Sequence, residues 1–148
     1  MRAEVANSYP HMLAGDTRIW TAFLEDPPIA ITDVEYDVRV GAVPFDISEL
    51  TEQEQKIARG LWRKRIDVIA ETAHEVYVIE VKPVASVMAL GQVIVYMELV
   101  AEEFESDKDV VGAIVAAEAD PDIVRLAELY GVVVFAERVG YFLPVEGL

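Results

Sequence analysis

Two short apolar segments of this chain carry three charged side chains, and this feature constrains the fold more than any other. Residues 66–71 and 76–82 are rich in Val and Ile, which is typical of β-strands. Side chains alternate across a strand, so Glu80 and Lys82 must share one face. Burying them and Asp67 among apolar neighbours costs free energy unless the charges are satisfied. The two strands are therefore expected to bring these charges together.

The connection between the two strands predicts how they pair. Four residues, Thr72–Glu75, separate them, so a hairpin pairs Glu71 with Val76. That register places Asp67 opposite Glu80. Cross-strand neighbours on one face lie about 5 Å apart, close enough to share one ion.

Such a pair of carboxylates favours a divalent cation. Two carboxylates about 4 Å apart repel by about 4 kcal/mol at an effective dielectric constant near 20. Mg²⁺ or Mn²⁺, hard ions that prefer oxygen ligands, would remove this repulsion. The expected ligands are Asp67, Glu80 and the backbone carbonyl of Val81.

The same residues suggest a reaction. The ion would polarise a phosphoryl oxygen and lower the pKa of a bound water. Lys82 would position that water or stabilise charge in the transition state. A simpler interpretation is a salt-bridged pair at a sheet edge, because Glu-x-Lys alone is common in strands. The upstream Asp67 in the neighbouring strand favours the metal site.

Composition predicts one globular domain spanning residues 1–148. More than half of the 148 residues are apolar, so a sizeable core can form. No apolar run is long enough for a transmembrane helix, and the N-terminus lacks the pattern of a signal peptide. The absence of cysteine excludes disulfides and thiol catalysis. We therefore expect a cytoplasmic protein that does not bind membranes.

The order of periodic segments predicts an α/β fold, a mixed central β-sheet flanked by helices in a sandwich. The last strand–helix–strand unit should pair in parallel. Beyond the two strands already described, the expected elements are helices at 16–24, from Ser48 or Thr51, at 89–104 and from Pro121 to Gly131, and strands within 29–40, at 110–116 and at 132–135.

Two helices have predicted faces. The helix after Thr51 begins with a capping box, Thr51 with Glu54, and Ile57, Ala58 and Leu61 supply its apolar face. In the helix at 89–104, the buried stripe is expected to consist of Leu90, Val93, Met97, Val100 and Phe104. Gln92 and Tyr96 share a different face, and Ala89 and Gly91 are expected to allow close approach to another backbone.

Asp67, Glu80-x-Lys82, Gln92 and Tyr96 together resemble the PD-(D/E)XK nuclease superfamily, in particular its RecB-like branch with a Gln-x-x-x-Tyr motif. The likeness spans about residues 63–104 and extends, less specifically, to small phage or prophage proteins. It implies a restriction-endonuclease-like sandwich and a metal-dependent phosphodiesterase that hydrolyses DNA. By this resemblance Asp67 and Glu80 bind Mg²⁺ or Mn²⁺, Lys82 is the catalytic lysine, and Gln92 and Tyr96 support the site and contact the substrate backbone.

Further residues complete this hypothesis. Members of the superfamily often add an acid or a histidine from the first helix, and here His11 and Asp16 are the two candidates. Arg63, Lys64 and Arg65 precede Asp67 directly and are expected to bind substrate phosphates.

The overall charge keeps a second interpretation open. The formal net charge is -15, which opposes general affinity for nucleic acid. Residues 98–122 hold nine acids and one lysine. This region either keeps the protein soluble or binds a basic protein partner. The alternative to a nuclease targeted by a partner is thus a non-catalytic phage accessory, assembly or interaction protein that retains the fold, with a DNA-mimic inhibitor and a homo-oligomer also open.

Overall fold

A computed structural model of the chain describes residues 1–138 and 141–145, and within them it has four α-helices and six β-strands. In chain order the elements are α1 (Ala14–Glu25), β1 (Asp33–Val40), α2 (Glu52–Trp62), β2 (Lys64–Glu71), β3 (Glu75–Ala85), α3 (Val87–Glu103), β4 (Asp109–Ala119), α4 (Pro121–Ala127), a short 3-10 helix (Glu128–Tyr130), β5 (Val132–Arg138) and β6 (Tyr141–Pro144).

The six strands form one mixed, open sheet in the order β1-β2-β3-β4-β5-β6. The first three strands pair antiparallel as a meander. Strands β3, β4 and β5 are parallel, and β6 returns antiparallel to β5. The predicted α/β class and mixed sheet are confirmed, as is the parallel pairing of the last strand–helix–strand unit.

Local signals in the sequence explain where the helices begin and end. Thr51 and Glu54 form the predicted capping box of α2. The Asp120 side chain caps α4 by accepting a hydrogen bond from the N–H of Asp122. Gly131 adopts a left-handed conformation (φ 71°) after the 3-10 helix, as expected for a C-terminal stop.

The sheet packs helices on both faces. On the α1 side, Trp20 and Phe23 stack with ring centroids 5.1 Å apart and pack in one cluster with strand residues such as Ile79 and Val81. On the α3 side, helices α3 and α4 cover the sheet. Val78 lies in the α3-side core, so alternation along β3 places the side chain of Glu80 on that side as well.

Strands β1 and β2 change faces together halfway along their length. Tyr36 and Val68, a cross-strand pair, pack against the α1-side core, whereas Val38 and Ile66, the pair after next, pack against the α3-side core. Between them lies Asp37, whose φ of 54° interrupts the extended backbone. The far half of this two-stranded ribbon therefore turns toward α3.

The turned end of the ribbon rests on the C-terminal half of α3. A Cβ on Gly41, which follows β1, would lie 3.2 Å from Leu99 Cδ1. Arg63 donates hydrogen bonds to the carbonyl of Gly41 at 2.6 Å and to the carboxylate of Glu103 at 2.7 Å. These contacts hold α2 and the start of β2 over α3.

Two predictions about helix faces are wrong. Ile57 and Leu61 of α2 are 54% and 70% exposed, and only Ala58 of that helix is buried. The helix lies at the end of the ribbon, where its apolar stripe has no sheet to cover. Among the described residues nothing lies within 4 Å of a Cβ built on Gly91, so the close approach is not there. It is at Gly112 of β4, where a Cβ would lie 2.6 Å from Val93 Cγ1.

Other elements differ from prediction mainly at their ends. The described strand in the 29–40 region begins at Asp33, and α3 begins two residues earlier than expected. Strand β6 was not predicted. Leu90, Val93 and Val100 of the expected α3 stripe are buried, whereas Met97 and Phe104 are partly buried beside them. Within the described part of the chain, no helix has the length and apolar composition needed to cross a bilayer.

Candidate functional site

The candidate site lies where β2 and β3 stop pairing. Their pairing runs from Glu71 with Val76 to Val68 with Ile79, which is the register that the four-residue connection predicted. One step further, the same register places Asp67 opposite Glu80.

At Asp67 and Glu80, side-chain carboxylates accept hydrogen bonds from backbone N–H groups, in place of the backbone carbonyls that accept them further along the hairpin. The N–H of Val81 donates to Asp67 Oδ2 at 2.9 Å, and the N–H of Asp67 donates to Glu80 Oε1 at 3.5 Å. Both acidic side chains therefore lie in the gap between the two strands. The structure brings together the two acids that the sequence singled out.

Glu80 is buried beside one lysine and one acid. Glu80 is only 1% exposed, and Lys82 Nζ lies 3.6 Å from the Oε2 atom of its carboxylate. Burial raises the pKa of Glu80 to about 9, the charge of Asp67 and a hydrogen bond with it add to this rise, and Lys82 offsets only part of it. These effects favour the protonated form of Glu80 when no cation is bound.

Asp16 and Tyr96 are electrostatic neighbours of this pair. Burial raises the pKa of Asp16, in the first turn of α1, and the charge of Asp67 raises it further, whereas Lys82 lowers it. Burial also raises the pKa of Tyr96, and the next largest cause is the charge of Glu80. Of the two first-helix candidates, Asp16 is thus the one beside the acids.

Gln92 contributes an unsatisfied polar atom to the same region. Its Oε1 is buried and has no hydrogen-bond partner among the described residues. A hydrogen bond from Gln92 acts on the hydroxyl of Tyr96, so the two helix residues face the same place. Leaving a buried acceptor unpaired costs about 1–3 kcal/mol, which makes this atom a candidate to meet a ligand.

The oxygen atoms at this site are of the kind that a hard cation prefers, but they are not arranged around one common position. Among residues 1–138 and 141–145, no three His, Cys, Asp or Glu side chains are placed so that they could hold a metal ion. Two carboxylates, Asp67 and Glu80, are in contact, and the third nearby acid is Asp16. All are oxygen donors, as Mg²⁺ and Mn²⁺ prefer. The predicted third ligand, the carbonyl of Val81, belongs to the residue whose N–H already binds Asp67.

The three predicted phosphate-binding residues have different environments. Arg63 is held by Gly41 and Glu103, as described above. Arg65 Nε donates to Asp37 Oδ1 at 2.9 Å. Lys64 is exposed, and no ion pair involves it in the described part of the chain. Of these three residues, Lys64 is therefore the one whose charged group is in no ion pair within the described part of the chain.

Asp37 is the centre of a cluster that the sequence interpretation missed. Its carboxylate contacts Arg39 Nη1 at 2.6 Å, Arg65 Nε at 2.9 Å and His11 Nε2 at 3.0 Å. Burial alone would raise the pKa of Asp37, but the hydrogen bonds from Arg39 and Arg65 outweigh it and lower the pKa. His11 thus binds Asp37 and not the acids of the candidate site. Strand β1 alternates charged and apolar side chains, so its pattern does not distinguish Asp37 from Glu35 or Arg39.

The acidic region at 98–122 is divided between two ends of the sheet. All nine of its acids are exposed. Six precede or begin β4, and the other three, Glu118, Asp120 and Asp122, lie at its far end, about 30 Å away at 3.3 Å per residue. The region that is continuous in sequence does not form one continuous acidic surface.

A cleft of about 480 Å³ lies apart from the candidate site. It is formed between the C-terminal ends of β4 and β5 and is lined by residues that include Glu118, Pro121 and Glu137. None of the predicted site residues lines it.

Comparison of this chain with protein-family models, with curated proteins and with solved structures gives no match.

Proposed function

We propose that this protein is a metal-dependent phosphodiesterase that hydrolyses DNA, of the PD-(D/E)XK type and its RecB-like branch. The observation that supports this most is the meeting of Asp67, Glu80 and Lys82 where β2 and β3 separate. The mixed sheet, with a helix directly after the Glu-x-Lys strand, is compatible with a restriction-endonuclease-like sandwich. Tyr96 of that helix is an electrostatic neighbour of both acids, and Gln92 hydrogen-bonds to Tyr96.

The electrostatics of Glu80 explain how the site would accept its ion. Protonation of Glu80 avoids two adjacent negative charges when no cation is bound. Mg²⁺ or Mn²⁺ would displace that proton, and Asp67 and Glu80 would hold the ion, with Asp16 nearby. When bound, the ion supplies Lewis-acid polarisation of a phosphoryl group.

The remaining residues act on the substrate and the water. The ammonium of Lys82, 3.6 Å from Glu80, orients a water molecule or stabilises negative charge that develops at phosphorus. The unpaired Oε1 of Gln92 can accept a hydrogen bond from that water. Lys64 contacts a neighbouring phosphate.

The direct test is hydrolysis of labelled single-stranded, duplex and branched DNA with Mg²⁺ or Mn²⁺. Lys82→Met should lower the rate about a hundredfold or more while leaving metal binding largely intact, because this residue acts in the transition state. The matched control is Arg125→Met, which removes an exposed cation paired with Asp122 on α4. Equal rates for both variants would exclude the assigned role of Lys82.

A second function, binding of a basic protein partner without catalysis, is favoured by the nine exposed acids of the 98–122 region. It replaces the nuclease proposal if the protein cleaves no DNA or RNA with either ion at low salt. A nuclease directed by a partner would then require that adding the partner restores cleavage that depends on Lys82.

A further inference from the structure

An aromatic pair is exposed on the ribbon end that leads to the candidate site. Trp62, the last residue of α2, is 55% exposed and Phe45 is 45% exposed. Their rings meet edge to face, with centroids 5.6 Å apart and planes at 77°. This geometry leaves part of the indole face open to solvent. Large exposed aromatic surfaces on a soluble protein mark binding surfaces more often than chance exposure does.

The surroundings of this pair are basic, in contrast to the rest of the chain. Residues 55–65 contain five Lys or Arg and no Asp or Glu, in a chain whose net charge is -15. The guanidinium group of Arg59 donates a hydrogen bond to Gln55 Oε1 and is in no ion pair among the described residues, and Lys64 is exposed. Arg59 and Phe45 line one side of a cleft of about 360 Å³, in which Asp46 is the one acid. A polyanion is therefore attracted here and repelled by most other surfaces.

The position of Trp62 relates it to the reacting centre. Asp67 follows Trp62 by five positions, a span of no more than about 17 Å at 3.4 Å per residue. A strand of nucleic acid held at the aromatic pair can therefore extend to the acids. Aromatic faces beside cations suit unpaired bases, since a base within a duplex is already stacked on both sides.

We propose that Trp62 and Phe45, with Arg59 and Lys64, form a base-stacking platform for single-stranded nucleic acid, which makes unpaired strands the preferred substrate of the candidate site. This inference rests on the proposed nuclease function for its catalytic consequence, but the binding itself needs no metal. The same experiments test whether a second copy of the chain occupies this surface instead.

Intrinsic fluorescence provides a direct measurement, because the chain has two tryptophans in opposite environments. Trp20 is fully buried and its indole N–H donates a hydrogen bond to the Tyr36 hydroxyl, whereas Trp62 is exposed. In metal-free buffer, a thymidine oligonucleotide should quench part of the emission in the wild-type protein. Trp62→Phe should abolish the quenching yet retain binding, measured by anisotropy of a labelled oligonucleotide, because Phe preserves a stacking face.

Trp62→Ala should weaken single-strand binding about tenfold, the effect of losing one stacked base. Leu61→Ala is the matched control, since Leu61 is adjacent and 70% exposed. The wild-type protein should bind the single strand at least tenfold more tightly than a duplex of equal length. Arg59→Met should reduce the slope of log K against log salt by about one.

Three results of the binding and sedimentation experiments would overturn the platform. One is unchanged single-strand affinity in Trp62→Ala, and another is equal binding of duplex and single strand. The third is a dimer in sedimentation that dissociates in Trp62→Ala, without oligonucleotide binding, which would identify a self-association surface. Cleavage that depends on Lys82 but ignores Trp62 would refute the platform alone. Binding that depends on Trp62 without any cleavage would refute the nuclease alone.

Discussion

Lys82 Nζ lies 3.6 Å from the carboxylate of Glu80, yet this ion pair does not keep Glu80 ionised. Burial and the neighbouring Asp67 raise the pKa of Glu80 to about 9 despite the lysine. The ordinary value is 4.5. Glu80 therefore makes the folded protein hold a proton that the unfolded chain releases over this pH interval.

The first prediction concerns stability against pH. Between about pH 4.5 and 9 the folded state binds the extra proton, so Glu80 makes the free energy of unfolding fall as pH rises, by up to about 1.4 kcal/mol per pH unit. Glu80→Gln removes this dependence and should stabilise the protein progressively from pH 5 to 8.5 relative to wild type. Urea unfolding at several pH values measures the difference. Glu98→Gln, an exposed acid on α3, is the control, and parallel curves for wild type and Glu80→Gln would contradict the assignment.

The second prediction concerns metal binding. At pH 7, Mg²⁺ or Mn²⁺ should displace about one proton from Glu80, because the ion and the proton compete for the same carboxylate. Titration calorimetry in two buffers with different ionisation enthalpies counts the released protons. Thermal stability should rise with ion concentration, by about 2.7 kcal/mol at a hundred times the dissociation constant.

Asp67→Asn should abolish both effects, since it removes a charge at the site with little change in shape. Asp107→Asn alters an exposed acid in the loop before β4 and should change neither. Heats that persist in Asp67→Asn would place the ion elsewhere.

The third prediction concerns the Asp37 cluster. Asp37→Asn leaves two arginines and His11 without their shared carboxylate and should destabilise the protein by about 2 kcal/mol. Because the pKa of Asp37 is lowered in the folded state, this contribution is present at neutral pH and is lost as pH falls below 4.

The matched control for Asp37 is Asp122→Asn. It breaks an exposed ion pair with Arg125 at 3.0 Å, which should cost less than about 0.5 kcal/mol. Equal losses in the two variants at pH 7 would show that the Asp37 contacts contribute no more than a surface pair.

The fourth prediction compares two glycines. In Gly112→Ala the new Cβ would lie 2.6 Å from Val93 Cγ1 and 2.9 Å from Met97 Sδ, so α3 must move away from β4, at a cost of about 1–3 kcal/mol. Gly91→Ala meets nothing within 4 Å among the described residues and should stabilise α3 by about 0.5–1 kcal/mol. Thermal unfolding distinguishes the two, and a neutral Gly112→Ala would mean that the helix accommodates the methyl group without strain.

The pairing of Asp67 with Glu80 was predictable because it depends on local geometry. A four-residue connection determines the hairpin register, and strand periodicity then determines which side chains share a face. The caps of α2 and α4 were predictable for the same reason, since each involves residues within one turn.

The change of faces in β1 and β2 was not predictable from periodicity. It depends on one residue, Asp37, which has a positive φ and whose carboxylate contacts Arg39, Arg65 and His11. The exposure of Ile57 and Leu61 has the same origin, since the turned ribbon carries α2 away from the sheet. Non-local contacts decide both features, and strand alternation contains no information about them.

The hydrogen bonds at Asp67 and Glu80, where β2 and β3 stop pairing, have a consequence for how relatives of this protein should be judged. The carboxylates of Asp67 and Glu80 take the place of backbone carbonyls between the two strands. Asp67 accepts a hydrogen bond from the N–H of Val81, and Glu80 accepts one from the N–H of Asp67. A descendant that kept the fold would still need an oxygen acceptor at each of these two positions, and an amide oxygen of Asn or Gln also supplies one. The side chain of Lys82 accepts no such hydrogen bond, and in the described part of the chain it lies 3.6 Å from Glu80. If the proposed function holds, loss of Lys82 is therefore the change that would mark a chain that keeps the fold without catalysis.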